Sequence, residues 1–117
     1  LGGFVAALII ADGATTTSEP YHVAFGIEIV ITLLLMYSIH VLVRRKASLP
    51  LLAFGVGLTV GVISYFFGEI TGSSMNPARS IGPNAVTEQG NLILYIAAPV
   101  LGAVLSNFIP GPLDEEL

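Results

Sequence analysis

Apolar residues gather into three long runs, 21–43, 49–70 and 92–109, and polar residues are largely confined to the stretches between them. A helix needs about 20 consecutive apolar residues to cross the hydrocarbon of a bilayer, so each run predicts a membrane-spanning helix. Hydrophobic residues make up 54% of the 117 and charged residues 10%, against roughly 25% charged in a soluble domain. Mean hydropathy is +0.86. A chain of this length cannot hide so much apolar side chain in a core of its own, which excludes a soluble fold. The expected fold class is an all-α membrane protein.

Of the four basic residues, Arg44, Arg45 and Lys46 are adjacent. Cytoplasmic loops collect Lys and Arg, so this turn faces the cytoplasm. The Thr-rich stretch 11–20 and the polar insert 71–90 then lie outside, and the acidic tail 110–117 returns to the cytoplasm. The net charge of −4 selects no partner, and nothing points to nucleic acid. Cysteine is absent and says nothing of compartment. Residues 1–10 are apolar but too short to span, and the chain opens at Leu1 inside that run. The expectation is the end of an earlier span, in a fragment that forms one membrane domain over 1–117.

The insert carries Gly72-Ser73-Ser74-Met75-Asn76-Pro77-Ala78-Arg79-Ser80-Ile81-Gly82-Pro83. Asn is favoured as an N-cap and Pro at the first helical position, so a short helix starts at Pro77. A capping Asn76 turns its side-chain oxygen to the N–H of Ala78 or Arg79, leaving its NH2 outward as a donor. A lone Asn-Pro is an exposed turn in most settings. Here small residues flank it, and they let the segment fold back between helices, where irregular backbone is tolerated only inside protein or along a cavity. With Arg79, charged at any accessible pH, fixed donors and positive charge at membrane depth suit a pore for small neutral molecules. Pro83 leaves the Arg79 carbonyl without its usual helical donor.

These twelve residues resemble the second signature loop of the aquaporins, the major intrinsic proteins. The similarity extends to Glu28 near the outer end of its helix, the basic turn, the Gly-rich span 49–70 and Ala98-Pro99. It covers essentially the whole chain, as the second of two inverted repeats preceded by the end of a third span. The resemblance implies three spans plus a re-entrant half-helix. Two such half-helices meet at the midplane, each placing an Asn at the pore, and their positive ends repel cations. It implies a homotetramer in a cell membrane, no cofactor and no metal, with Glu28 supporting the loop by accepting backbone N–H bonds.

The family's outer filter maps onto Arg79, onto Ser73 through its carbonyl, and onto Ser64; a fourth position lies on a second span not contained here. Water-selective members usually carry His at the Ser64 position and glycerol facilitators Gly. Ser80, after Arg79, fits the water channels, Asn84 fits neither group, and Tyr95-Ile96 takes half from each. The balance is a water channel with a relaxed filter that also passes glycerol or other small neutral solutes. A glycerol-type facilitator is the alternative. A different class is a non-conducting structural half-repeat, or a two-copy assembly.

Other residues carry plainer readings beside these. An ionisable group within a span is costly and usually faces the bundle interior, so Glu28 is expected to be buried, with an interfacial position as the alternative. His22 and His40 sit at opposite ends of one helix; interfacial placement is favoured over a pH gate. Gly57-x-x-x-Gly61 and Ala98-x-x-x-Gly102 fit small-residue helix packing. Tyr21 and Tyr95 are interfacial or packing aromatics. No carboxylate pair, Cys/His cluster or Ser-His-Asp set has plausible spacing, so no enzyme is expected.

Overall fold

Residues 21–44 contain no proline and one glycine, and they form one uninterrupted helix, α1 (Tyr21–Arg44), launched from the Pro20 carbonyl, which accepts from the N–H groups of Val23 and Ala24 at 3.0 Å each. The computed structural model describes residues 5–6, 8–9 and 14–110. Most of the expected earlier span over 1–10, and the tail beyond residue 110, lie outside the described residues. After the basic turn, Ser48 caps α2 (Leu49–Thr71), its Oγ accepting from Leu51 N, with Pro50 in the first turn, where a missing N–H costs nothing. Gly72 ends α2 in the left-handed region at φ +83°, its N–H returning to Gly68 O at 2.9 Å. The short α3 (Pro77–Thr87) and α4 (Leu92–Ser106) start at Asn76 and Asn91, each capping with its own side-chain oxygen.

At 1.5 Å per residue, α1 and α2 run to about 35 Å each, enough to cross hydrocarbon. The third apolar run is α-helical over only part of its length. Its α-helix stops at Ser106, and residues 107–109 continue as tighter turns, with the N–H groups of Asn107, Phe108 and Ile109 each reaching back three residues. Pro110 is the cause: it disfavours α geometry in the residue before it and offers no N–H to extend the ladder. Among the described residues no strand occurs, and the fold is all-helical.

α1 is the central element, packed against both α2 and α4, while α3 lies on α4. The α1–α4 approach is close because of Gly102: a Cβ there would run into the Ile29 carbonyl oxygen and sit 3.0 Å from Thr32 Cβ. Gly57 and Gly61 behave otherwise, since a Cβ at either would meet nothing within 4 Å. Among the described residues, the small-residue pattern therefore makes a helix contact at Gly102 and none at Gly57 or Gly61.

Two small apolar clusters form inside, one of Ala24, Leu94 and Tyr95, the other of Ile31, Ile63 and Met75. Beside them are buried Thr15, Glu28, Thr71, Ser74, Ser80 and Asn84, whereas Leu51, Phe54, Leu58, Val62, Tyr65 and Phe66 of α2 are exposed. Polar groups inside and large apolar groups outside invert the arrangement of a soluble protein and suit a lipid surround. Gly102→Ala should cost roughly 1–3 kcal/mol through overpacking, seen as a lower melting temperature in detergent; an unchanged melting point would mean α1 and α4 are not so closely apposed.

Candidate functional site

Asn76, with extended backbone (φ −158°), accepts the Ala78 N–H on Oδ1 at 2.9 Å. That bond fixes the rotamer, and the Asn76 NH2 is then the end of the side chain left to face the groove. The segment leading to it is conformationally costly. Gly72, Ser73 and Met75 lie in the left-handed region at φ +83°, +45° and +54°, and for a side-chain-bearing residue this costs on the order of 1–2 kcal/mol.

Glu28 of α1 holds that conformation. The carboxylate is fully buried and accepts from Ser74 N at 3.0 Å and Thr71 Oγ1 at 2.8 Å on one oxygen, and from Met75 N at 3.0 Å on the other. Thr71 Oγ1 in turn accepts from Ser73 N at 3.3 Å, and the Thr71 carbonyl accepts the hydroxyl of fully buried Tyr95. Of the two readings of Tyr95, the packed one applies, and its hydroxyl acts as a strut from α4. Because each peptide unit is planar and trans, turning the N–H groups of Ser73, Ser74 and Met75 toward Glu28 and Thr71 turns the carbonyls of Gly72, Ser73 and Ser74 the opposite way.

A groove of about 770 Å³ runs along that opposite side. It is lined by Ser64, by the segment Gly72–Met75, and by Asn76, Pro77 and Arg79, with Leu35, Met36, Ile39, Val56, Val60 and Val100 among its apolar wall residues. Five of the seven residues singled out from the sequence (Asn76, Pro77, Arg79, Ser64 and Ser73) thus share one groove. Ala78 does not line it and contributes its capped N–H, and Glu28 stands behind the loop. Arg79 is in the first turn of α3, so its charge adds to the positive end of the helix dipole. The groove combines donors from Asn76 and Arg79, acceptors from the irregular segment, and apolar side chains elsewhere.

Two residues here had no assigned part in the sequence reading. Thr15, in the loop before α1, is fully buried, and Asn84 of α3 grips its backbone on both sides, accepting from Thr15 N at 2.8 Å and donating to Thr15 O at 3.0 Å. Ser80, one helical turn before Asn84, lies 2.6 Å from Thr15 Oγ1. The i, i+4 spacing of Ser80 and Asn84 was the available signal for a shared polar face; no local pattern marks Thr15 as their partner.

Comparison with known proteins identifies the family to which the chain is similar. The family described as Major intrinsic protein matches residues 1–109. Aquaporin NIP1-2 of Oryza sativa subsp. japonica is 41% identical over 92 residues, covering 77% of this chain and 30% of that protein. Putative aquaporin NIP4-1 of Arabidopsis thaliana is 38% identical over 99 residues, 83% of this chain and 35% of its own length. Probable aquaporin TIP-type of Antirrhinum majus is 35% identical over 124 residues, covering 95% of this chain and 50% of that protein. The chain therefore spans between 30% and 50% of the length of these relatives.

Replacing Glu28 by Gln places an NH2 where one backbone N–H now finds an acceptor. Leaving a buried donor unmatched costs roughly 1–3 kcal/mol. Glu28→Gln should lower the melting temperature and the yield in detergent. A wild-type melting point would remove the carboxylate from its supporting role.

Proposed function

The chain belongs to the major intrinsic protein family, an integral membrane family of channels rather than enzymes, and on that premise we propose that it forms one half of a passive channel for water. The pore is relaxed enough to pass glycerol or other small neutral solutes and excludes protons and ions. One observation carries this reading: Asn76, Arg79, Ser64 and Ser73, distant along the chain or on different elements, line a single groove.

The chemistry follows from what that groove presents. Arg79 and the α3 N-terminus put positive potential at the constriction, which repels cations, hydronium included. The Asn76 NH2 donates to the oxygen of a passing water, which must then direct both its hydrogens away, and this interrupts a continuous proton wire. The carbonyls of Gly72, Ser73 and Ser74 accept hydrogen bonds along the approach, so a neutral solute exchanges its hydration shell stepwise. A cation would be welcomed by those carbonyls and then rejected at Arg79. The complete protein is expected to be a homotetramer in the cell membrane, with one pore per subunit, as the family resemblance implies.

Ser64 is the residue that sets the filter width on this reading. It is small and exposed to the groove, and this favours glycerol passage as the second activity. Reconstituted into liposomes, the complete protein should raise osmotic water permeability well above that of empty vesicles and glycerol uptake more modestly. Ser64→His narrows the filter and should cut glycerol flux by about tenfold, corresponding to roughly 1.4 kcal/mol at the barrier, with water flux largely retained. Equal glycerol flux in the variant would remove Ser64 from the filter, and no flux of either solute in the wild type would favour a non-conducting structural role.

A further inference from the structure

Thr15 is the meeting point of contacts that nothing in the pore chemistry requires. Asn84 holds its N–H and its carbonyl together, as the neighbouring strand of a sheet would. Two glycines in the left-handed region make room for it. At Gly72 (φ +83°) a Cβ would fall 3.1 Å from Thr15 Cα, and at Gly90 (φ +75°) it would collide with the Thr15 carbonyl. Two residues on, Thr17 Oγ1 donates to the Ile70 carbonyl at 2.7 Å, tying the same loop to the end of α2.

The Thr15 hydroxyl also heads a chain whose direction follows from proton counting. Ser74 Oγ donates to the Asn76 carbonyl at 2.9 Å. A hydroxyl has one hydrogen, so in the 2.5 Å contact of Ser74 Oγ with Ser80 Oγ the proton comes from Ser80. By the same count, the 2.6 Å contact between Ser80 and Thr15 takes its proton from Thr15. The Thr15 hydroxyl therefore has none left for Asn84 Oδ1, and their 3.4 Å separation agrees with that. The result is a one-way series, Thr15 to Ser80 to Ser74 to the backbone carbonyl of Asn76, running behind the groove wall.

We propose that Thr15, clamped by Asn84, is a positioning residue that seats the Gly72–Asn76 segment from the loop before α1 and thereby adjusts the size cut-off of the groove, whose width Ser64 sets from α2. This rests on the channel reading. Glu28 anchors the segment from the α1 side, and Thr15 backs it at Gly72 and through the hydroxyl chain. Gly72 lines the groove on one face and meets Thr15 on the other. When that backing is removed, the segment yields outward and larger solutes gain more than water does.

The test is the glycerol-to-water permeability ratio of the complete protein in liposomes, with Asn84→Ala, Thr15→Val and Thr15→Ser, each checked for assembly by gel filtration and melting point. Asn84→Ala removes both clamp bonds and should raise the ratio by about fivefold, the rate equivalent of one hydrogen bond. Thr15→Val keeps the clamp but beheads the hydroxyl chain and should raise the ratio by a smaller factor, while Thr15→Ser restores the hydroxyl and should match the wild type. Amide hydrogen exchange over residues 14–20 should quicken in Asn84→Ala, which remains readable if flux is low. A wild-type ratio in assembled Asn84→Ala and Thr15→Val overturns the proposal and leaves the channel reading intact. A wild type that conducts neither solute overturns the channel reading itself.

Discussion

A single carboxylate organises this structure. Glu28 lies on a helix otherwise suited to lipid, where an isolated ionised group would be strongly disfavoured. It is tolerated because its two oxygens receive three hydrogen bonds, and bonds to a charged acceptor are about twice as strong as neutral ones. The dependence is mutual. Without the carboxylate, the N–H groups of Ser74 and Met75 would lose their acceptor. Without those donors, Glu28 could not stay where it is. An irregular, left-handed segment and a buried acid, each unfavourable alone, become compatible as a pair.

That pairing also decides what the groove displays. The left-handed φ values at Ser73 and Met75 are the conformational cost of presenting successive N–H groups to one side. Peptide planarity then commits the intervening carbonyls to the other side. An acceptor face toward the groove is therefore a consequence of satisfying Glu28, and the side chains of the segment are freed for packing. Met75 uses that freedom, joining Ile31 and Ile63 in a buried cluster that ties the segment to α1 and α2.

Much of this was legible in the chain because membrane constraints are few and strong. The apolar runs located the helices, since a hydrocarbon slab dictates length and composition together. Asn76-Pro77 located the start of α3, because the N-cap and the first helical position have sharp local chemistry. Family resemblance carried Ser64, Ser73 and Glu28, which no local rule would have joined. What stayed hidden depended on contacts far apart in sequence. Thr15 and Asn84 are 69 positions apart, and a Thr in a polar loop looks solvated until Gly72 and Gly90 are seen to make space for it. The α-helix of the third run ends at Ser106, three residues before the apolar run does, for a local reason, the effect of Pro110 on the turn before it. The Gly57-x-x-x-Gly61 pattern meets no partner among the described residues, because small-residue spacing signals the ability to pack closely and leaves the partner unspecified.

The two anchors of the groove segment differ in kind, and the difference bears on what each can tune. Glu28 acts through a charged acceptor rooted in the middle of a rigid helix, so changing it should alter whether the segment holds its shape at all. Thr15 acts through neutral bonds from a short loop whose backbone is gripped by an amide side chain, and neutral bonds of this sort are individually worth about 1 kcal/mol. A difference of that size is too small to decide folding, yet it is a several-fold change in a rate. Selectivity between solutes that differ by a few atoms is itself a matter of such factors. On the channel reading, the charged anchor fixes the presence of the filter and the neutral one adjusts its width, so the solute range of such a channel can change through loop and half-helix residues while the pore lining stays the same.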